Sequence, residues 1–163
     1  YLLSISSISA HSKKKKAIKA HEHGVGTLNI AQEDNALIFE FEIPGFDIVG
    51  FEYEAKKKED LEKIQNALKI LSNYKNMILP SASGECEKIN SSAKVIREGN
   101  HSEFVGEYEF NCKKISDLKI IYVKYFSNFE YSKKLNIKIV SNNKKTAYVI
   151  DKSKKIIKVK NYF

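Results

Sequence analysis

Leu37-Ile38-Phe39-Glu40-Phe41-Glu42-Ile43 is the stretch on which the reading of the fold turns. Leu37, Phe39, Phe41 and Ile43 take every second position, and Ile38, Glu40 and Glu42 fall between them. Side chains on a strand alternate between its two faces, so this segment is a half-buried strand. Pro44-Gly45 ends it. On the N-terminal side, Gln32-Glu33-Asp34-Asn35 makes a turn. Before the turn, residues 26–31 form a second strand with Leu28 and Ile30 on one face and Thr27 and Asn29 on the other.

Beyond Gly45 the period changes. Leu61, Ile64, Leu68 and Leu71 recur at three- and four-residue spacing, which predicts an amphipathic helix over residues 59–73, with Pro80 past its end. Strands resume after it. Residues 86–97 and 103–112 flank the turn signal Gly99-Asn100 as a hairpin, and the second arm sets Phe104, Gly106, Tyr108 and Phe110 against Glu103, Glu107 and Glu109. Residues 118–125 are apolar on both faces and read as a central strand. Residues 135–140, 146–150 and 156–159 read as short strands separated by turns. The expected fold is α+β: a mostly antiparallel β-sheet of about seven strands, two-layer or sandwich-like, with one amphipathic helix. The 163 residues suit one domain, placed at residues 21–163 with no internal repeat.

Composition narrows the function classes. Hydrophobic residues at 42% and charged residues at 29% are those of a globular chain rather than a disordered one. No apolar run approaches the roughly 18 residues of a membrane span. Walker A, GxGxxG, CxxC and GxSxG patterns are absent, so no catalytic residue is assigned and the chain is not read as an enzyme. The net charge of +8 invites a nucleic-acid reading, but Arg97 is the only arginine among 28 basic residues. Groove readers and phosphate clamps rely on the forked guanidinium, and the lysines are scattered, so nucleic acid is not an expected partner.

Residues 1–10, YLLSISSISA, are apolar, hydroxyl-rich and end in a small residue. They read as the remnant of a secretory signal cut after Ala10, the alternative being a first strand of the fold. Residues 11–20, which hold Lys13-Lys14-Lys15-Lys16, read as a flexible basic linker. Export across the inner membrane to the periplasm is therefore expected. The two cysteines, Cys86 and Cys112, fit that compartment, since they lie 13 residues before and 13 after Gly99. In a hairpin such symmetry brings two side chains opposite one another, within disulfide reach; two buried free thiols are the alternative.

The four histidines are His11, His21, His23 and His101. In extended chain His21 and His23 project to one side, as do His101 and Glu103. If the two pairs meet, three imidazoles with Glu103 or water would suit tetrahedral Zn2+, with copper as the nearest alternative. Glu40, Glu42, Glu107 and Glu109 are candidate acceptors for the imidazole N–H groups. Incidental surface histidines are the competing reading.

HEHGVGTLNIAQEDNALIFEFEIPGFDIVGFEYEA, residues 21–55, resembles the opening of the ZrgA-type periplasmic zinc-uptake proteins. His101-Ser102-Glu103-Phe104, Tyr108-Glu109-Phe110-Asn111-Cys112, Cys86 and the layout of the closing strands are also similar, so the resemblance spans essentially residues 20–160. It implies an exported protein that binds zinc and assists a high-affinity importer, with an ABC-type importer or its binding protein as partner. It implies His21, His23 and His101 as ligands and Cys86–Cys112 as the structural bridge. Many members carry a histidine where this chain has Tyr53, and a His/Asp-rich loop where it has only Arg97-Glu98-Gly99-Asn100. One zinc site follows. A non-catalytic envelope interaction module, with residues 122–131 as an aromatic contact surface, is the alternative function.

Overall fold

The computed structural model describes residues 22–142 and 144–163. Residues 1–10, read above as a signal remnant, residues 11–20, read as a linker, and His21 lie outside the described residues. The strand pair read first is β1 (Val25–Glu33) and β2 (Ala36–Pro44), joined by a turn at Asp34-Asn35 and paired antiparallel, with Leu28 opposite Phe41 and Ile30 opposite Phe39. Leu28, Leu37, Phe39, Phe41 and Ile43 are wholly buried. The alternation of the sequence is thus the alternation of core and outer face.

After Pro44 comes a short helix that no periodicity announced, α1 (Gly45–Val49), and then α2 (Lys58–Leu71). Helix α2 buries Ala67 and Leu71 and half-buries Ile64 and Leu68, whereas Leu61 stays 45% exposed. Leu61 therefore falls outside the packed stripe, one turn before the helix reaches the core. The remaining strands are β3 (Ile78–Pro80), β4 (Cys86–Glu98), β5 (His101–Cys112), β6 (Ile120–Val123), β7 (Lys134–Val140), β8 (Lys145–Asp151) and β9 (Ile156–Lys158). Among the described residues nine strands form two sheets, one ordered β4-β5-β2-β1-β7-β8 and one ordered β3-β6-β9. All pairings are antiparallel except β1 with β7. The architecture is α+β and dominated by sheet.

One face of the large sheet packs beneath the small sheet and α2. Phe39 meets Phe110 edge-on at 5.7 Å and Phe41 meets Tyr108 at 6.0 Å. Buried side chains of this size stabilise by about 1.5–3 kcal/mol each. The buried Tyr108 hydroxyl donates to the Leu71 carbonyl at 2.6 Å, tying α2 to the sheet.

Two expectations are corrected. The segment 118–125 is not a long strand buried on both faces. Only β6 is extended there; Ile121 and Val123 are buried, Tyr122 is exposed, and β6 is central in the small sheet rather than the large one. The eight strand segments read from the sequence are joined by a ninth, short β3 at the edge of that small sheet, which carries too little pattern to be read. The aromatic run 122–131 is mostly core: Tyr125 and Phe129 are buried, leaving Tyr122 and Tyr131 exposed.

The hairpin reading holds with one refinement. The two-residue turn Gly99-Asn100 sets Glu98 opposite His101, and continued evenly this register would bring Lys113 to Cys86. A bulge between Lys88 and Asn90 absorbs one residue of β4, so Cys86 faces Cys112 instead, and the two are disulfide-bonded. Among the described residues no helix is long and apolar enough to cross a membrane.

Candidate metal centre

The chain enters β1 through a turn at Glu22–Val25, closed by the Val25 N–H donating to the Glu22 carbonyl at 3.1 Å. Gly24 takes φ +89° there, and a side chain at this position would come within 2.9 Å of Lys133 Cδ. Its N–H donates to Asp47 Oδ1 at 2.6 Å, and its carbonyl accepts from Lys133 and Lys134. This anchorage presents His23 toward α1, where its ring stacks on Phe46 at 4.6 Å with the planes 10° apart.

Helix α1 ends at Gly50 in the left-handed conformation, at φ +83°, where a Cβ would press on the Tyr131 ring at 3.2 Å. The chain then reverses, buries Phe51, and delivers Glu52 beneath both imidazoles. Glu52 Oε1 lies 3.7 Å from His23 Nε2, and Glu52 Oε2 lies 3.1 Å from His101 Nδ1. The Arg97 guanidinium donates to the Glu52 carbonyl at 3.1 Å, fixing this loop to the tip of the β4–β5 hairpin. The Glu52 side chain is only 12% exposed, whereas the rings of His23 and His101 are 55% and 59% exposed.

Two carboxylate oxygens at this place, Asp47 Oδ2 and Glu52 Oε1, are buried without a hydrogen-bond partner among the described residues. A buried polar atom left unpaired is costly, and a carboxylate oxygen more so. Burial pushes the Asp47 carboxyl above its usual range. The Gly24 N–H and His23 draw it back, Glu52 pushes it further up, and Lys133 lowers it. The pocket of chain around His23, Asp47, Glu52 and His101 thus holds more acceptor oxygen than its own hydrogens satisfy.

The structure therefore brings the two histidine segments to one place, but through Glu52. Glu103, two residues after His101 on β5, is half-buried opposite Pro44 and Ile96. Two of the four candidate acceptors on the outer sheet face are engaged there: Glu40 accepts from Asn29 at 3.0 Å and Glu107 pairs with Lys94 at 2.6 Å. The acceptor role falls to Glu52. Sequence reasoning passed over it because it follows α1, which has no period of its own; the trace it left was an acid directly after Gly50-Phe51. Tyr53, the next residue, stacks on Phe51 at 4.6 Å and donates its hydroxyl to Asp60 Oδ2 at 2.9 Å. It ties the Glu52 loop to α2 and turns away from the imidazoles. Among the described residues no three His, Cys, Asp or Glu side chains already stand as a ready chelate.

The match to known families decides the setting of this geometry. The model of the ZrgA family of zinc uptake proteins matches residues 20–159, from the His21 segment to the end of the small sheet. The chain belongs to this family. A ZrgA-family chain has a role in zinc uptake, and the cluster of imidazole and carboxylate groups is set within the matched region. No curated protein matches the chain.

Proposed function

We propose that this chain is a periplasmic zinc-capture protein that assists high-affinity uptake, holding one Zn2+ between His23, Glu52 and His101, with His21 as a further ligand. The observation that carries this reading is the half-buried Glu52 carboxylate shared by two exposed imidazoles that lie far apart in sequence. Donors held 2.0–2.1 Å from a tetrahedral ion stand about 3.3 Å from one another. The separations of 3.1 Å and 3.7 Å at Glu52 bracket that spacing. Both rings are more than half exposed, so they can turn onto an ion without unpacking the core. A divalent cation would also take up the unpaired Glu52 oxygen and offset the negative charge that Asp47 and Glu52 place here.

Copper would engage the same imidazoles, and membership of a zinc-uptake family favours zinc between the two. Glu103 stays a candidate for a vacant position. An ABC-type importer or its binding protein is the proposed recipient of the ion, and the disulfide is consistent with that extracytoplasmic setting.

Titration calorimetry of the wild type, His21→Ala, His101→Ala and His11→Ala tests the reading. Zinc should bind one-to-one, weaken in acid because only the neutral imidazole is a ligand, and lose about tenfold or more in His21→Ala and His101→Ala. His11→Ala should change little. Wild-type affinity in His101→Ala would mean that the two segments do not share an ion.

A further inference from the structure

The charge of the chain is unevenly placed. Residues 144–163 hold seven lysines against one acid, Asp151, while residues 22–143 hold sixteen basic and nineteen acidic residues. The basic end belongs to β8 and β9, which are each the last strand of their own sheet. Between them opens a cleft of about 490 Å³. Its floor is apolar, with Ile150, Ile157 and the rings of Tyr148 and Tyr162, and the exposed Lys154, Lys155 and Lys158 line its rim. Asp151, the one acid of residues 144–163, is engaged locally, its Oδ1 accepting from both the N–H and the hydroxyl of Ser153.

We propose that this cleft is a docking groove for an extended acidic segment of a partner protein, laid against β8 as an added strand. Three features favour that occupant. A terminal strand offers a row of backbone donors and acceptors on its outer side, which pairs with another extended chain. The cleft beside that edge accepts every second side chain of such a strand, and its apolar floor suits aliphatic or aromatic residues there. The lysine rim then meets acidic residues at the alternate positions and steers the encounter. A flat anionic membrane would touch the rim lysines but not reach Ile157, which is buried at the bottom. Ile156, at 40% exposure and on the cleft lining, extends the apolar contact. The groove is separate from the residues proposed to hold zinc, so the two readings stand or fall independently.

The test uses the whole chain and three probes: a labelled peptide alternating glutamate with valine, its lysine–valine counterpart, and phosphatidylglycerol vesicles. Fluorescence anisotropy should show saturable binding of the acidic peptide that weakens with salt, and binding of the lysine peptide weaker by about tenfold or more. Lys154→Glu, Lys155→Glu and Lys158→Glu together should weaken the acidic peptide by about tenfold or more and leave zinc binding unchanged. All three side chains are exposed, and the triple Ala variant serves if charge reversal disturbs folding. In the wild type, bound peptide should slow amide exchange within Lys145–Asp151. Failure of the acidic peptide to saturate, unchanged affinity in the lysine variants, or protection outside β8 would each overturn the proposal. Vesicle binding that the peptide does not displace would do so too, by assigning the patch to lipid.

Discussion

Replacing Glu52 by Gln should separate the cost of the candidate site from its use. Gln keeps the size and one carbonyl oxygen but removes the charge that faces His23 and His101. In the metal-free protein a buried unpaired acceptor costs about 1–3 kcal/mol. Glu52 lies at the low end, because its side chain is 12% exposed and its second oxygen meets His101. The metal-free variant should therefore be unchanged or more stable by about 1 kcal/mol, which for a chain of this size raises Tm by about 2–4 °C. With zinc the sign reverses. At zinc near 100 times the wild-type Kd, binding stabilises the wild type by about 2.7 kcal/mol, or about 5–11 °C. Loss of a group that holds or orients ligands weakens metal sites by about 10–100-fold. At the hundredfold end the same zinc would stabilise the variant by only about 0.4 kcal/mol, about 1–2 °C. Thermal unfolding of both proteins, with zinc and with chelator, reads all four states. A variant that keeps the full zinc shift would show that Glu52 takes no part in binding. A metal-free variant weakened by more than about 2 kcal/mol would show that Glu52 serves as a structural ion pair instead.

Replacing both Cys86 and Cys112 by Ser opens a 26-residue separation and should cost about 3–4 kcal/mol by chain entropy, visible as a lower denaturation midpoint with a steeper slope, since the unbridged denatured chain exposes more surface. An unchanged midpoint would show that the hairpin register alone suffices. Asp47 gives a pH signature. Its folded carboxyl sits above the ordinary 3.8, so the folded state holds its proton longer than the unfolded state does. That stabilisation is complete below about pH 4 and is lost as pH rises through the folded value, and Asp47→Asn should flatten this fall in metal-free unfolding curves. An identical pH profile in Asp47→Asn would place the dependence elsewhere. Gly24→Ala should destabilise by about 1–2 kcal/mol, from its φ of +89° and the approach to Lys133, and should weaken zinc binding through His23. Full zinc affinity in that variant would detach the turn from the site.

What the sequence determined by itself is local in origin. The alternation of Leu37, Phe39, Phe41 and Ile43, and that of Phe104, Tyr108 and Phe110, needs only the two-residue period of a strand, and those residues form the core face. The helix over residues 59–73 appears as Lys58–Leu71 for the same reason, since a 3.6-residue period is written in neighbouring positions. The cysteine pair was legible from symmetry about the turn, although the bulge at Lys88/Asn90, which makes the register meet, was not. Tertiary structure decided the rest. No local pattern assigns β6 to a second sheet, because that depends on β3 and β9 closing over the core from both sides in sequence. Nor could spacing find Glu52, which meets His101 across 49 residues through the left-handed turn at Gly50 and the Arg97 contact. The histidines could be named from the chain alone, because imidazole is a distinctive ligand. The carboxylate between them could not: one acid among twenty becomes special only when folding half-buries it between two imidazoles.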